Sequence, residues 1–186
     1  MTKTLDRLPA MPRSTPVDFG QRQVTVFPDE LLVWVSVGLP GEAQPQLLSP
    51  PFPALLDSGN GCDFYLNEHH LVHWAGISPG SLIVLARKQI NQQQVPFREA
   101  DVWVYPNEPG TYRRQEGKPP FLLANVEGVA VAPELAGQRP APRLPLLGFP
   151  ALRKNRLDFW FDGAAAHCYL RTAGWRSRLV RWLQRF

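Results

Sequence analysis

Cysteine is scarce in this 186-residue chain, with Cys62 and Cys168 the only two. Two thiols cannot build a disulfide framework. They allow one bridge or two reduced thiols, and because prolines and charges interrupt residues 1–22, leaving no apolar signal core, reduced thiols are expected. No apolar run approaches the roughly 20 residues of a membrane-spanning helix. A cytoplasmic location is the resulting expectation. Charged side chains are also few, at 19% against 44% hydrophobic, which argues against disorder and supplies core for one domain.

Basic charge is present but localised. The net charge is +4, yet residues 171–186 hold five arginines and no acid, while the other 170 residues carry 15 basic and 16 acidic groups. A basic tail rather than a basic face sets the charge, so no nucleic-acid partner is expected for the body. No glycine-rich phosphate loop occurs, and Ser58 lacks the Gly-x-Ser-x-Gly elbow of serine hydrolases. Nothing in the spacing of Cys62 or Cys168 singles out a thiol nucleophile. Glu68-His69-His70-Leu71-Val72-His73 sets His69 and His73 four apart, but a zinc-peptidase helix needs Glu directly after its first His. A solvated helix end is expected there, with no metal and no other cofactor.

Proline, by contrast, is abundant. The 20 prolines gather at 9–16, 40–53, 106–120 and 133–150, which reads as a β-rich body joined by stiff loops. β-Branched and aromatic runs predict strands at Val24–Phe27, Leu31–Val37, Phe52–Leu56, Ser81–Ala86, Ala100–Tyr105 and within Phe121–Ala132. Asn67 as N-cap and Gly76 as terminator predict a short helix between them. The organisation expected is a flexible N-terminal arm over 1–22, a β domain over 23–171 and a helical tail over 172–186.

The most informative tripeptide is Asp57-Ser58-Gly59, just after the apolar run Phe52-Pro53-Ala54-Leu55-Leu56. Taken alone, these residues are ordinary turn formers. In context, Leu55-Leu56-Asp57-Ser58-Gly59 followed by a short loop and Phe64-Tyr65-Leu66 resembles the active-site strand and loop of retropepsin-like aspartic proteases. A second stretch, Leu146-Leu147-Gly148-Phe149-Pro150-Ala151-Leu152 and then Leu157 to Gly163, is similar to that family's apolar-apolar-Gly strand end, short helix and closing strand. The resemblance spans roughly residues 24–170.

The resemblance implies an all-β, retropepsin-like closed barrel or sheet domain with a short helix. It also implies a homodimeric peptidase acting on peptide or protein substrates. Metal-free peptide hydrolysis needs one group to take a proton from water and another to give one to the scissile carbonyl, which two adjacent carboxylates sharing a proton can do. The chain has no second Asp-Ser-Gly, so the partner carboxylate is expected from a two-fold mate. Asp57 is then the catalytic acid/base, with Ser58, Gly59 and Gly148 in support. Residues 88–96, with Gln89, Ile90, Asn91 and Gln92 near the tip, occupy the position of the family's flap. This segment lacks the usual glycines, although Asn91 tolerates a left-handed turn. The competing reading is a catalytically inactive domain of the same fold that serves dimerisation or peptide binding.

At the C-terminus, Trp175, Leu179, Trp182, Leu183 and Phe186 share one helical face, and Arg178, Arg181 and Arg185 project mainly elsewhere. Two readings stand for this segment. The amphipathic helix docks on its own domain or across a dimer, or residues 175–186 form a membrane-surface or partner-binding helix with the arginines facing anionic lipid headgroups.

Overall fold

The computed structural model describes residues 3–41, 49–134 and 141–172. The tail from residue 173 onward, including the expected amphipathic helix, lies outside the described residues. Among the described residues, no helix is long and apolar enough to cross a membrane.

Among the described residues the chain is all-β with two short α-helices. All seven residues of β4 (Leu32–Gly38) are buried, which places this strand inside a sheet covered on both faces. It pairs antiparallel with β5 (Phe52–Asp57) on one side and β9 (Asp101–Tyr105) on the other. The sheet has nine strands. Beyond β9 lies the two-residue β10 (Phe121–Leu122). Beyond β5 come β12 (Leu146–Gly148), β6 (Phe64–Asn67), β11 (Val129–Ala132), β8 (Gln93–Arg98) and β7 (Val84–Ile90).

One insertion in this order positions the site. β12 runs parallel to β5 and antiparallel to β6, so it separates two strands that are consecutive in sequence. Strands two places apart in a sheet are about 10 Å apart. The connection from Asp57 to Phe64 therefore arches over the C-terminal end of β12, where Gly148 sits.

A three-stranded sheet packs alongside in the order β1 (Lys3–Pro9), β14 (His167–Thr172), β13 (Leu157–Asp162), and β2 (Thr15–Phe19) forms a hairpin with β3 (Arg22–Val26). The main core joins the sheets through buried Leu5, Leu8, Phe52, Phe64, Leu147 and Leu170. The helices are α1 (Glu68–His73), capped by Asn67 as expected, and α2 (Phe149–Lys154), directly after Gly148.

Several expectations need correction. The N-terminal arm is not a loose appendage, because β1 pairs with β14 and β2 with β3. Proline excludes a helix here but not an edge strand. Leu5 and Leu8 are both buried, and irregular register between them hides the period-two alternation. The barrel does not close either, since β10 and β7 end the nine-stranded sheet without joining. β10 is only two residues long, and Arg87 and Lys88 on exposed β7 are charges of the kind that keep an edge unpaired. The strand expected at Ser81–Ala86 starts at Val84, after a 3-10 turn at Pro79–Ser81. The strand pattern over Phe121–Ala132 divides into β10 and β11.

Candidate active site

Asp57 is the last residue of β5, where the apolar run has spent its buried positions and the side chain emerges half-buried. Its carboxylate is fixed locally: Oδ1 accepts the Gly59 amide at 2.8 Å. A Cβ on Gly59 would stand 3.3 Å from that oxygen, so the tight return of the chain favours glycine. Ser58 is exposed beside it.

Gly148 faces Asp57 across the parallel ladder. A Cβ there would lie 2.0 Å from the Cys62 carbonyl and 2.9 Å from that of Asn60, which leaves no space for a side chain beneath the loop. The Gly148 amide donates to the Asp63 carbonyl at 3.0 Å and pins the far end of the loop. Asp57, Ser58, Gly59 and Gly148 are therefore brought together at one sheet end.

The loop is braced by residues to which sequence reasoning gave no such role. Asn60 Nδ2 donates to the Leu146 carbonyl at 3.3 Å, and its Oδ1 accepts the Cys62 amide at 3.1 Å. The buried Asp63 accepts through Oδ2 from the Glu127 amide at 2.9 Å and from Lys154 Nζ at 2.8 Å. Lys154 also lies 3.0 Å from the exposed Glu127 carboxylate. Burial alone would lower the Lys154 pKa, but hydrogen bonds and attraction from Asp63 and Glu127 outweigh it and hold the ammonium above its ordinary range. An Asn between two glycines was a visible turn signal for Asn60. The Asp63–Lys154 pair spans 91 positions and had none.

A cavity of about 610 Å³ opens beside Asp57 and Ser58. Leu31, Leu55, Leu144 and Leu146 contribute apolar wall, Phe149, Phe159 and Phe161 lie on the α2 and β13 side, and Asp29, Glu30 and Arg143 supply its other charges. Next to it the surface is unusually apolar: Trp160 is 60% and Phe161 45% exposed.

The expected flap segment is a hairpin of β7 and β8, pairing Gln89 with Gln94 and Ile90 with Gln93. Asn91 and Gln92 form its two-residue tip with φ of 49° and 65°, the signature of a type I′ turn, so the bend is made without glycine. Ile90, next to the turn, packs on a cluster with Tyr65, Val95 and Phe97 that also receives Cys62 and Leu146, linking the tip end of the hairpin to the loop after Asp57. Gln89, Asn91 and Gln92 are exposed and do not line the cavity at Asp57.

Other chemistries find little support. Cys62 and Cys168 are unbridged. Burial pushes the Cys168 thiol up to about 12 and also raises Cys62, where burial outweighs the opposing Lys88 charge. Both favour the thiol over the nucleophilic thiolate. In α1, His69 and His73 are exposed with rings 4.6 Å apart, whereas His70 is buried, a departure from the solvated helix end expected. Its amide donates to Asn67 Oδ1 at 2.9 Å, and Nδ1 accepts the Asn67 amide at 3.5 Å. Among the described residues, no group of three or more His, Cys, Asp or Glu is arranged to hold a metal ion.

Compared with protein-family models, curated proteins and solved structures, the chain matches none. The site is therefore read on its own geometry.

Proposed function

We propose that the protein is an aspartic peptidase of retropepsin-like type that works as a homodimer. The observation that carries this reading is the Asp57–Gly148 arrangement, in which a carboxylate ends a buried strand opposite a glycine that lets the following loop pass over it. One chain supplies one such carboxylate at the cavity's sheet end. A two-fold mate supplies the second, and the exposed Trp160 and Phe161 beside the cavity support an apolar seam there.

In the assembled site, water sits between the two Asp57 carboxyl groups. The ionised one removes a proton as the water oxygen attacks the scissile carbonyl carbon, and the protonated one donates to the carbonyl oxygen. The resulting tetrahedral diol collapses as the newly protonated carboxyl group gives its proton to the departing amide nitrogen and the other, now ionised, takes one from a diol hydroxyl, which breaks the C–N bond and restores the pair. The Gly59 amide holds each carboxylate in place, and the β7–β8 hairpin is the element available to close over the peptide.

The deciding experiment is hydrolysis of unfolded protein and peptide libraries from acidic to neutral pH by wild type and Asp57→Asn. Wild-type cleavage that disappears in a folded Asp57→Asn variant supports the reading. Cleavage retained by the variant removes Asp57 from catalysis. A wild type that binds peptides and never cuts them is the inactive, peptide-binding domain instead.

A further inference from the structure

The cavity beside Asp57 has an apolar floor and an acidic rim. The turn that enters β4 builds the rim: the Glu30 amide donates to the Phe27 carbonyl, the Phe27 amide donates to Glu30 Oε2 at 2.7 Å, and Asp29 is held at φ +62°. Arg143 comes from the far side of the chain. Its Nη2 reaches both Glu30 oxygens at 2.6 and 2.5 Å, its Nη1 donates to the Thr25 carbonyl, and the guanidinium lies 4.2 Å above the Phe27 ring.

This arrangement occupies the one guanidinium that lines the cavity among the described residues: its Nη2 is shared between both Glu30 oxygens and its Nη1 is spent on the Thr25 carbonyl. Asp29 is left differently placed. It lines the same cavity, is exposed, and among the described residues no cation pairs with its carboxylate. A Lys or Arg side chain suits such a space, because its methylene stem can lie on leucine walls while its charged head reaches a rim carboxylate. A neutral side chain of equal length gains only the apolar part, and an acidic one meets uncompensated negative charge.

We propose that this cavity selects peptides carrying Lys or Arg beside an apolar residue, with Asp29 as the specificity-determining carboxylate. The Glu30–Arg143 pair is its positioning clamp. The inference rests on the peptidase reading in taking the cavity as part of the peptide cleft.

The test uses full-length Asp57→Asn protein, which leaves the peptide intact, and fluorescence anisotropy with a labelled alanine–leucine octapeptide bearing Lys, Met or Glu at one central position. The Lys peptide is expected to bind about tenfold more tightly than the Met peptide, as for a hydrogen-bonded charge in a cleft. Glu should bind more weakly than Met, and rising salt should shrink the Lys advantage. Adding Asp29→Asn should abolish the advantage, and asparagine tolerates the left-handed backbone at that position. Adding Glu116→Gln, which removes an exposed acid elsewhere, should leave it unchanged. Equal binding of Lys and Met peptides, an advantage that survives Asp29→Asn, or no peptide binding at all overturns the inference. Wild-type cleavage without Lys preference overturns it while the peptidase reading stands. Asp29-dependent preference without wild-type cleavage does the reverse.

Discussion

Gly148 and Asp57 are register partners at the ends of two parallel strands, and the loop that leaves Asp57 passes so close over Gly148 that no Cβ fits. The obstruction is two backbone carbonyls, those of Cys62 and Asn60, which cannot rotate aside as a side chain would. Gly148→Ala must therefore shift the loop. A loss of about 3 kcal/mol in urea unfolding is expected, at the upper end of overpacking penalties. Activity should fall further than stability alone explains, because the displaced loop carries Asp57 and Gly59. An unchanged unfolding midpoint would mean that the loop does not lie against Gly148.

The dimer reading makes the exposed aromatics on β13 responsible for association. Trp160→Ser combined with Phe161→Ser removes two large apolar side chains that are 60% and 45% exposed in the single chain. The fold should survive. If these residues anchor the interface, the dissociation constant should rise about 30-fold, equivalent to about 2 kcal/mol for an interface hot spot. Sedimentation and specific activity followed over one dilution series should decline together. Full activity in a monomer would place the second carboxylate within the chain.

The hairpin tip depends on the left-handed conformation of Asn91 and Gln92. Asn91→Gly should be tolerated, whereas Asn91→Val forces a β-branched residue to positive φ at a cost of about 1–2 kcal/mol. Because β7 is exposed along nearly its whole length, the penalty should fall on the hairpin rather than the domain. Amide exchange over residues 84–98 is expected to quicken about tenfold in Asn91→Val, with little change in the global unfolding midpoint. Equal protection in the Gly and Val variants would contradict a type I′ tip.

Local chemistry made part of this molecule legible. The Leu55-Leu56-Asp57 and Leu146-Leu147-Gly148 runs each ended in the residue type that a sheet end requires, and Asn67 announced α1. Leu5 and Leu8 stayed hidden because irregular pairing broke the alternation by which strands are read. The barrel expectation failed at the sheet's two free ends, a property of non-local pairing that no single segment encodes. The charged rim was illegible for the same reason, since Glu30 and Arg143 meet across 113 positions. Asp63 was visible as an acid near Asp57, but its bracing role depends on Lys154 arriving from α2.

His70 sets a limit on how acidic a working pH the fold can bear. It is buried at the start of α1, and its pKa is pushed down to about 3, chiefly by burial and secondarily by neighbouring His69, against a smaller opposing contribution from the Arg143 backbone. A histidine whose folded pKa lies below its unfolded value of about 6.5 stabilises fully above that value. Between about 6.5 and 3 the unfolded chain binds a proton that the folded chain refuses, so stability falls as pH falls, by at most about 1.4 kcal/mol per pH unit from this group. Protonation would also oblige Nδ1 to give up the Asn67 amide it accepts. Urea midpoints measured from pH 7 to pH 4 should therefore decline in the wild type. His70→Gln, which keeps a polar side chain at the cap without a titrating ring, should be less stable at pH 7 yet show a shallower decline. Parallel pH profiles for the two proteins would show that His70 is not the group that titrates on unfolding.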